Sequence, residues 1–141
     1  MDIKYHNPNL IKINTECEKS DWIDLRASET VEIKKGEFKL ISLGISVKLP
    51  KGYEMHIAPR SSTFKNFKII QTNSVAVIDN SYCGDMDIIK YPALAMEDTI
   101  IKENDRICQF RLVENMPSIF LHEVDFLDNE ERGGFGSTGI I

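Results

Sequence analysis

Residues 45–57 read "ISVKLPKGYEMHI". Ile45, Val47 and Leu49 alternate with polar residues, Pro50-Lys51-Gly52 supplies a corner, and Tyr53, Met55 and Ile57 resume the alternation. A period of two puts every second side chain on one face, which marks a half-buried strand and not a helix. The pattern recurs on both sides. In "VEIKKGEFKLI" (31–41), Val31 and Ile33 alternate with charges, Lys35-Gly36 turns the chain, and Phe38 and Leu40 alternate again. In "TIIKENDRICQFRLV" (99–113), the turn falls at Glu103-Asn104-Asp105 and the return runs through Ile107, Phe110 and Leu112. Short alternating runs with turn signals roughly every 8–12 residues predict an all-β sandwich or barrel. The one helical candidate is "RSSTFKNF" (60–67), with Ser61 or Ser62 as N-cap.

At 141 residues, with 42% hydrophobic and 28% charged residues, the chain fits one globular domain with a real core. No apolar run approaches the ~18 residues of a membrane span. The start, "MDIKYHNPNL", lacks the apolar segment of a signal peptide, so a cytosolic protein with no membrane partner is expected. Cys17, Cys83 and Cys108 are odd in number and show no CxxC or Cys/His spacing, so buried free thiols are expected in place of disulfides or zinc. A net charge of −5 argues against nucleic acid polymers as partners. It leaves room for a small anion met by a few convergent arginines.

Residues 73–85, "NSVAVIDNSYCGD", place an apolar run before Asp79 and a polar turn before Tyr82, which suggests a β-hairpin. Asp79 suits an Asx-turn by itself, and Tyr82 suits a ring capping the core. From about Asp128 the chain changes character. "DNEERGGFGSTGII" is polar and glycine-rich, with Phe135 its one large residue before the last two. Such a tail is flexible when the protein is alone, and glycines around an aromatic let backbone approach a ligand closely. The division expected is a body over 1–127 and an arm over 128–141.

Five segments, in order, resemble the five motifs of the trimeric all-β dUTPases: "DLRA" (24–27), "APRSS" (58–62), "NSVAVIDNSY" (73–82), "RICQF" (106–110) and "RGGFGSTG" (132–139). Together they span almost the whole chain. The departures are Trp22 and Ala76 where the family usually has glycine, Ser62 for the glycine of Arg-Ser-Gly, and Glu130 where an arginine usually stands five residues before the phenylalanine.

The resemblance implies a distorted jelly-roll β-barrel that hydrolyses dUTP to dUMP and pyrophosphate, limiting uracil in DNA and supplying dUMP for thymidylate synthesis. It implies roles residue by residue. Asp79 would hold and activate the attacking water, since a carboxylate with a pKa near ~4 is ionised at neutral pH. Asn73, with backbone groups of Ala76 and Val77, would read uracil, and Tyr82 would pack under the deoxyribose and exclude a 2′-hydroxyl. Phe135 would stack on the base as a lid, with Tyr91 as another aromatic available for that position. Arg60, Ser61, Ser62, Arg106, Gln109, Arg132, Gly136 and Ser137 would meet the phosphates. Gln109 would take the α-phosphate and help hold the water. Asp24 would act through water on a Mg²⁺ chelated by the triphosphate; apart from the resemblance, Asp24 fits a strand-end residue that bonds the backbone or pairs with Arg26. Assembly would be a homotrimer in which one chain supplies the Asp79 segment, a second the Arg-Ser-Ser and Gln segments, and the third its tail.

Two other readings share these features. A dCTP deaminase relative has the same barrel but needs a glutamate-type base at C4 of cytosine, where this chain offers Asp79 and Asn73. A regulatory module would use nucleotide occupancy to control a protein partner, with or without turnover.

Overall fold

The computed structural model describes residues 1–16 and 19–141. Cys17 lies outside them. Among the described residues, eleven strands and one short helix follow in order. They are β1 (Asp2–Tyr5), β2 (Ile23–Arg26), β3 (Val31–Ile33), β4 (Phe38–Ser42), β5 (Ile45–Lys48), β6 (Tyr53–Pro59), α1 (Thr63–Phe67), β7 (Ile69–Gln71), β8 (Ala76–Ile78), β9 (Lys90–Ala95), β10 (Thr99–Ile101) and β11 (Arg106–Glu114). Every pairing is antiparallel. The largest sheet runs β2-β11-β6-β8; β4-β9-β7 forms a second, and β1-β5 and β10-β3 close the ends.

The alternation in 45–57 is realised on the inside. Ile45, Val47, Leu49, Met55 and Ile57 are all buried, with His56 and Ala58 less so on either side of Ile57, while Ser46 is buried along with its neighbours. Phe110 pairs with Ile57 and Leu112 with Met55 across the longest ladder. Leu25 on β2 joins them from the same sheet, and Tyr91, Ile41 and Ile101 complete one core from the other sheets. Each fully buried Ile, Leu or Phe contributes about 1.5–3 kcal/mol of transfer free energy, which is what holds strands this short in place.

The corners behave differently from hairpin turns. β5 and β6 belong to different sheets, as do β3 and β4. Chain reversals therefore carry strands from one sheet to the next, which is how a jelly roll encloses its core. The hairpin expected over 73–85 does not form. β8 pairs with β6, and the residues after it make turns and bends but no returning strand. Phe38 and Leu40 alternate as expected but point outward, because the buried position on β4 is Ile41.

α1 starts where expected, with Ser62 at the N-cap position, but its hydroxyl makes no capping bond. Thr63 serves that corner instead. Its Oγ1 accepts from the Arg60 amide at 2.7 Å and donates to the Ile107 carbonyl at 2.9 Å, tying the "APRSS" segment to β11. Strand structure ends at Glu114. Beyond it Ile119, Phe120, Leu121, Phe126 and Leu127 are all exposed. No helix among the described residues is long and apolar enough to cross a membrane.

Candidate active site

Two clefts gather the chemically equipped side chains, and they lie at opposite edges of the four-stranded sheet. The first, of about 560 Å³, is lined by Asp24, Arg60, Ser61, Arg106 and Gln109 along with Arg26 and Trp22. A β-bulge makes this possible. Along β11 the register with β2 shifts between Arg106 and Cys108, so Ile107 and Cys108 both turn inward. The extra residue returns Arg106 and Gln109 to the same outer face, where strict alternation would have split them.

Asp24 occupies the centre of that face. Its Oδ1 accepts from Arg60 Nε at 2.8 Å and its Oδ2 from Arg106 Nη1 at 3.1 Å. The pairing with Arg26 does not form; Arg26 Nη1 donates to the Asn104 carbonyl at 2.7 Å. Cys108 lies buried beneath, and burial pushes its thiol well above the usual range, so it stays protonated. Of the thiols expected to be buried, Cys108 is, whereas Cys83 is exposed in the loop after Tyr82.

The second cleft, of about 310 Å³, is lined by Val77, Ile78, Asp79, Ser81 and Tyr82. The Tyr82 amide donates to the Asp79 carbonyl at 3.2 Å, closing a tight turn. Asp79 Oδ1 accepts from both the amide and the hydroxyl of Ser81. The hydroxyl bond first, and the amide bond second, hold its pKa below the ordinary carboxylate value. The Asx-turn is therefore real, and it engages Oδ1 alone, leaving Oδ2 exposed. The Tyr82 hydroxyl donates to the Ile88 carbonyl at 3.0 Å, which fixes the ring while it stays partly exposed. β8 is the edge strand, so its outer backbone groups are unpaired within the sheet.

Asn73 stands just before this strand and is held by a residue that sequence reasoning missed. Gln71, buried at 5% exposure, donates through Nε2 to Asn73 Oδ1 at 3.1 Å and to the carbonyls of Ile57 and Ser74. A glutamine ending the apolar pair Ile69-Ile70 was the available signal. Tyr91 is excluded from any base contact, since its side chain is fully buried in the core.

Neither cleft is lined by any residue beyond Gln109. Arg132, Phe135, Gly136 and Ser137 lie in the exposed tail, where the Gly134 amide donates to Ser137 Oγ. The two clefts are also far from one another. Asp24 is level with Gln109 and Ala58, while Asp79 follows the residue paired with Met55. Three interstrand steps and four residues of strand rise separate Asp24 from Asp79 by roughly 20 Å.

A model of the dUTPase family matches residues 10–139. The chain is 58% identical over 137 residues to the SPbeta prophage-derived deoxyuridine 5'-triphosphate nucleotidohydrolase of Bacillus subtilis strain 168, covering 97% of this chain and 96% of that one. It is 34% identical to the deoxyuridine 5'-triphosphate nucleotidohydrolase of Helicobacter pylori strain Shi470, over 95% of this chain and 92% of the relative. Among solved structures, a Staphylococcus bacteriophage 80alpha dUTPase mutant with dUpNHpp superimposes with a TM-score of 0.79 at 17% identity, over 99% and 98% of the two chains. A mutant dUTPase from phage phi11 of S. aureus, described for its coordination of a structural Mg(II) ion, gives 0.76 at 15% identity over 91% and 98%. These last two likenesses concern the fold, which is all-β as the strand pattern predicts and is the jelly roll that the resemblance implies.

Proposed function

The chain belongs to the dUTPase family, and from that premise we propose how its own residues divide the hydrolysis of dUTP to dUMP and pyrophosphate. Asp79 is the general base. Its Oδ2 takes the proton of a water whose oxygen bonds to the α-phosphorus, while the bond to the bridging oxygen breaks and pyrophosphate leaves. Asn73 and the outer backbone edge at Ala76 and Val77 read uracil. A protein edge with fixed donors and acceptors rejects cytosine, whose exocyclic donor would leave buried groups unpaired at ~1–3 kcal/mol each. Tyr82 packs against the deoxyribose.

The first cleft takes the triphosphate through Arg60, Ser61, Ser62, Arg106 and Gln109. Phosphoryl transfer of this kind depends on positioning and on neutralising oxygen charge, which fixed guanidinium groups supply. The residues present fit Mg²⁺ only as an ion carried mainly by the substrate. No group of three or more His, Cys, Asp or Glu that could hold a metal occurs among the described residues, and both Asp24 oxygens are already engaged by arginines. Asp24 would hold such an ion through water, and the ion would draw charge from the phosphate oxygens.

The observation that carries this reading is the distance between the clefts. A water on Asp79 must reach a phosphorus held near Gln109, and one chain keeps the two parts roughly 20 Å apart. The sites are therefore shared in a homotrimer: one chain gives the base and Asp79, the next gives the phosphate cleft, and residues 128–141 of the third close over both. Phe135 covers uracil, and Arg132, Gly136 and Ser137 meet the phosphates. The exposed Phe38 and Leu40 on β4, Ile70 on β7 and the apolar residues between 116 and 127 support assembly, since isolated chains rarely leave so much apolar surface wet. The enzyme works on the soluble nucleotide pool of the cytoplasm.

Incubation of the purified protein with dUTP, with dCTP and with Mg²⁺, followed by chromatography, tests the activity. Equal amounts of dUMP and pyrophosphate are expected from dUTP alone. Ammonia released from dCTP would overturn the assignment, and a sedimentation mass of one or two chains would overturn the shared site.

A further inference from the structure

We propose that Arg26 is an additional phosphate-binding residue, serving the β- and γ-phosphates. This rests on the first cleft being the triphosphate site. Arg26 and Arg106 are direct cross-strand partners on β2 and β11, and both line that cleft. Like charges directly opposite on a sheet destabilise it. Around them the lining residues include Arg60 and Lys12 as further cations and Asp24 as the one carboxylate among the described residues. Asp24 answers Arg60 and Arg106, while Arg26 donates, among the described residues, only to the Asn104 carbonyl. Four lining cations against one lining anion leave a local excess of three positive charges in a chain of net charge −5, with Lys12 Nζ set 3.7 Å over the Tyr5 ring. A polyphosphate supplies the missing charge.

The register gives the assignment along the triphosphate. Gln109 pairs with Asp24, and Arg26 lies two residues further along β2, on the same outer face. That displacement is ~6.6 Å, about the reach from an α-phosphate to the phosphates beyond it. The arm carries Glu130 five residues before Phe135, so no arginine arrives from that position. Arg26 provides from the rigid body a second charge beside the one that Arg132 brings on the arm.

The sole tryptophan, Trp22, lines the same cleft and reports occupancy by fluorescence. Arg26→Gln and the parent are titrated with inorganic tripolyphosphate and with dUMP at several salt concentrations. Arg26→Gln is expected to bind tripolyphosphate roughly tenfold more weakly, with a shallower salt dependence and an unchanged dUMP affinity. Unchanged tripolyphosphate binding overturns the proposal. So does an equal loss for both ligands with a lowered melting temperature, which would mean that Arg26 only braces Asn104. Should Arg26→Gln fail to fold, Arg26→His assayed at about pH 8, where an ordinary imidazole is uncharged yet still a donor for Asn104, carries the test by the same selective loss or its absence. A parent that binds no tripolyphosphate refutes the phosphate cleft itself, a distinct failure.

Discussion

Ser81 donates twice to Asp79, through its amide and its hydroxyl, and both bonds end on the same carboxylate oxygen. One oxygen is thereby committed to the turn and the other is left facing the cleft. The arrangement fixes the carboxylate rotamer without burying it, so the group stays ionised and solvated until a substrate excludes water from the site. A turn and a general base are here the same residue in two capacities.

Asp79→Asn keeps an acceptor for the Ser81 amide and loses the basic oxygen. It is expected to bind a nonhydrolysable imido analogue of dUTP nearly as well as the parent, while turnover falls by ~10² or more. Calorimetry and initial rates measure the two effects separately. Turnover close to the parent's would remove Asp79 from the role.

Ser81→Ala removes the larger of the two causes that lower the Asp79 pKa. The carboxylate pKa then rises toward its ordinary value. A base works only when deprotonated, so activity is present above its pKa and lost as pH falls through it. The acid limb of kcat/KM is therefore expected to move to higher pH in the variant, with the plateau rate little changed. A limb that stays where the parent's lies would show that another group sets it.

The strand pattern made the fold class legible because Met55, Ile57 and their neighbours repeat at a period of two and the core demands that period. It could not show which strands pair, since alternation says nothing about the sheet that a corner leads into. The mistaken hairpin at 73–85 has that cause: β8 finds its partner on β6, some twenty residues back. The bulge at Ile107 was hidden for a related reason. "RICQF" reads as regular alternation only if one residue is skipped, and the sequence does not say which. The site residues were legible as types from the motif resemblance. Arg26 and Gln71 stayed hidden because their importance lies in what stands opposite them.

Gly44 sets a stability prediction at a buried corner. Its φ of 65° is in the left-handed region, and an added Cβ would sit 2.5 Å from Ser28 Cβ, whose amide and hydroxyl are already bonded to Ser42. Gly44→Ala is expected to cost about 2–4 kcal/mol, through both backbone strain and the clash. Gly36→Ala, at φ 84° with open space around the added carbon, should cost only about 1 kcal/mol. Urea unfolding at fixed protein concentration compares them, and equal costs would show that the contact with Ser28 relaxes freely.

Truncation after Asn129 removes Arg132, Phe135, Gly136 and Ser137 without touching any strand. The shortened protein should keep its melting temperature and assembly while kcat/KM for dUTP falls by ~10² or more, as expected when a lid that excludes water is lost. An unimpaired truncated enzyme would show the arm to be a frayed end.

Mixing two inactive chains tests the shared site most directly. Asp79→Asn spoils the base-reading part of a site, and Arg60→Ala spoils the phosphate part. Each variant alone forms only damaged sites, whichever way the sites are built. If each chain held a whole site, mixed oligomers would also hold only damaged ones. If neighbouring chains each lend one part, a site pairing the loop of an Arg60→Ala chain with the phosphate cleft of an Asp79→Asn chain is intact. Random assembly of equal amounts then makes about one site in four whole, so coexpressed chains should recover about a quarter of the parent's activity. Recovery near zero in a mixture shown by mass to contain both chains would return Asp79 and Arg60 to a single subunit, which their separation on one sheet opposes.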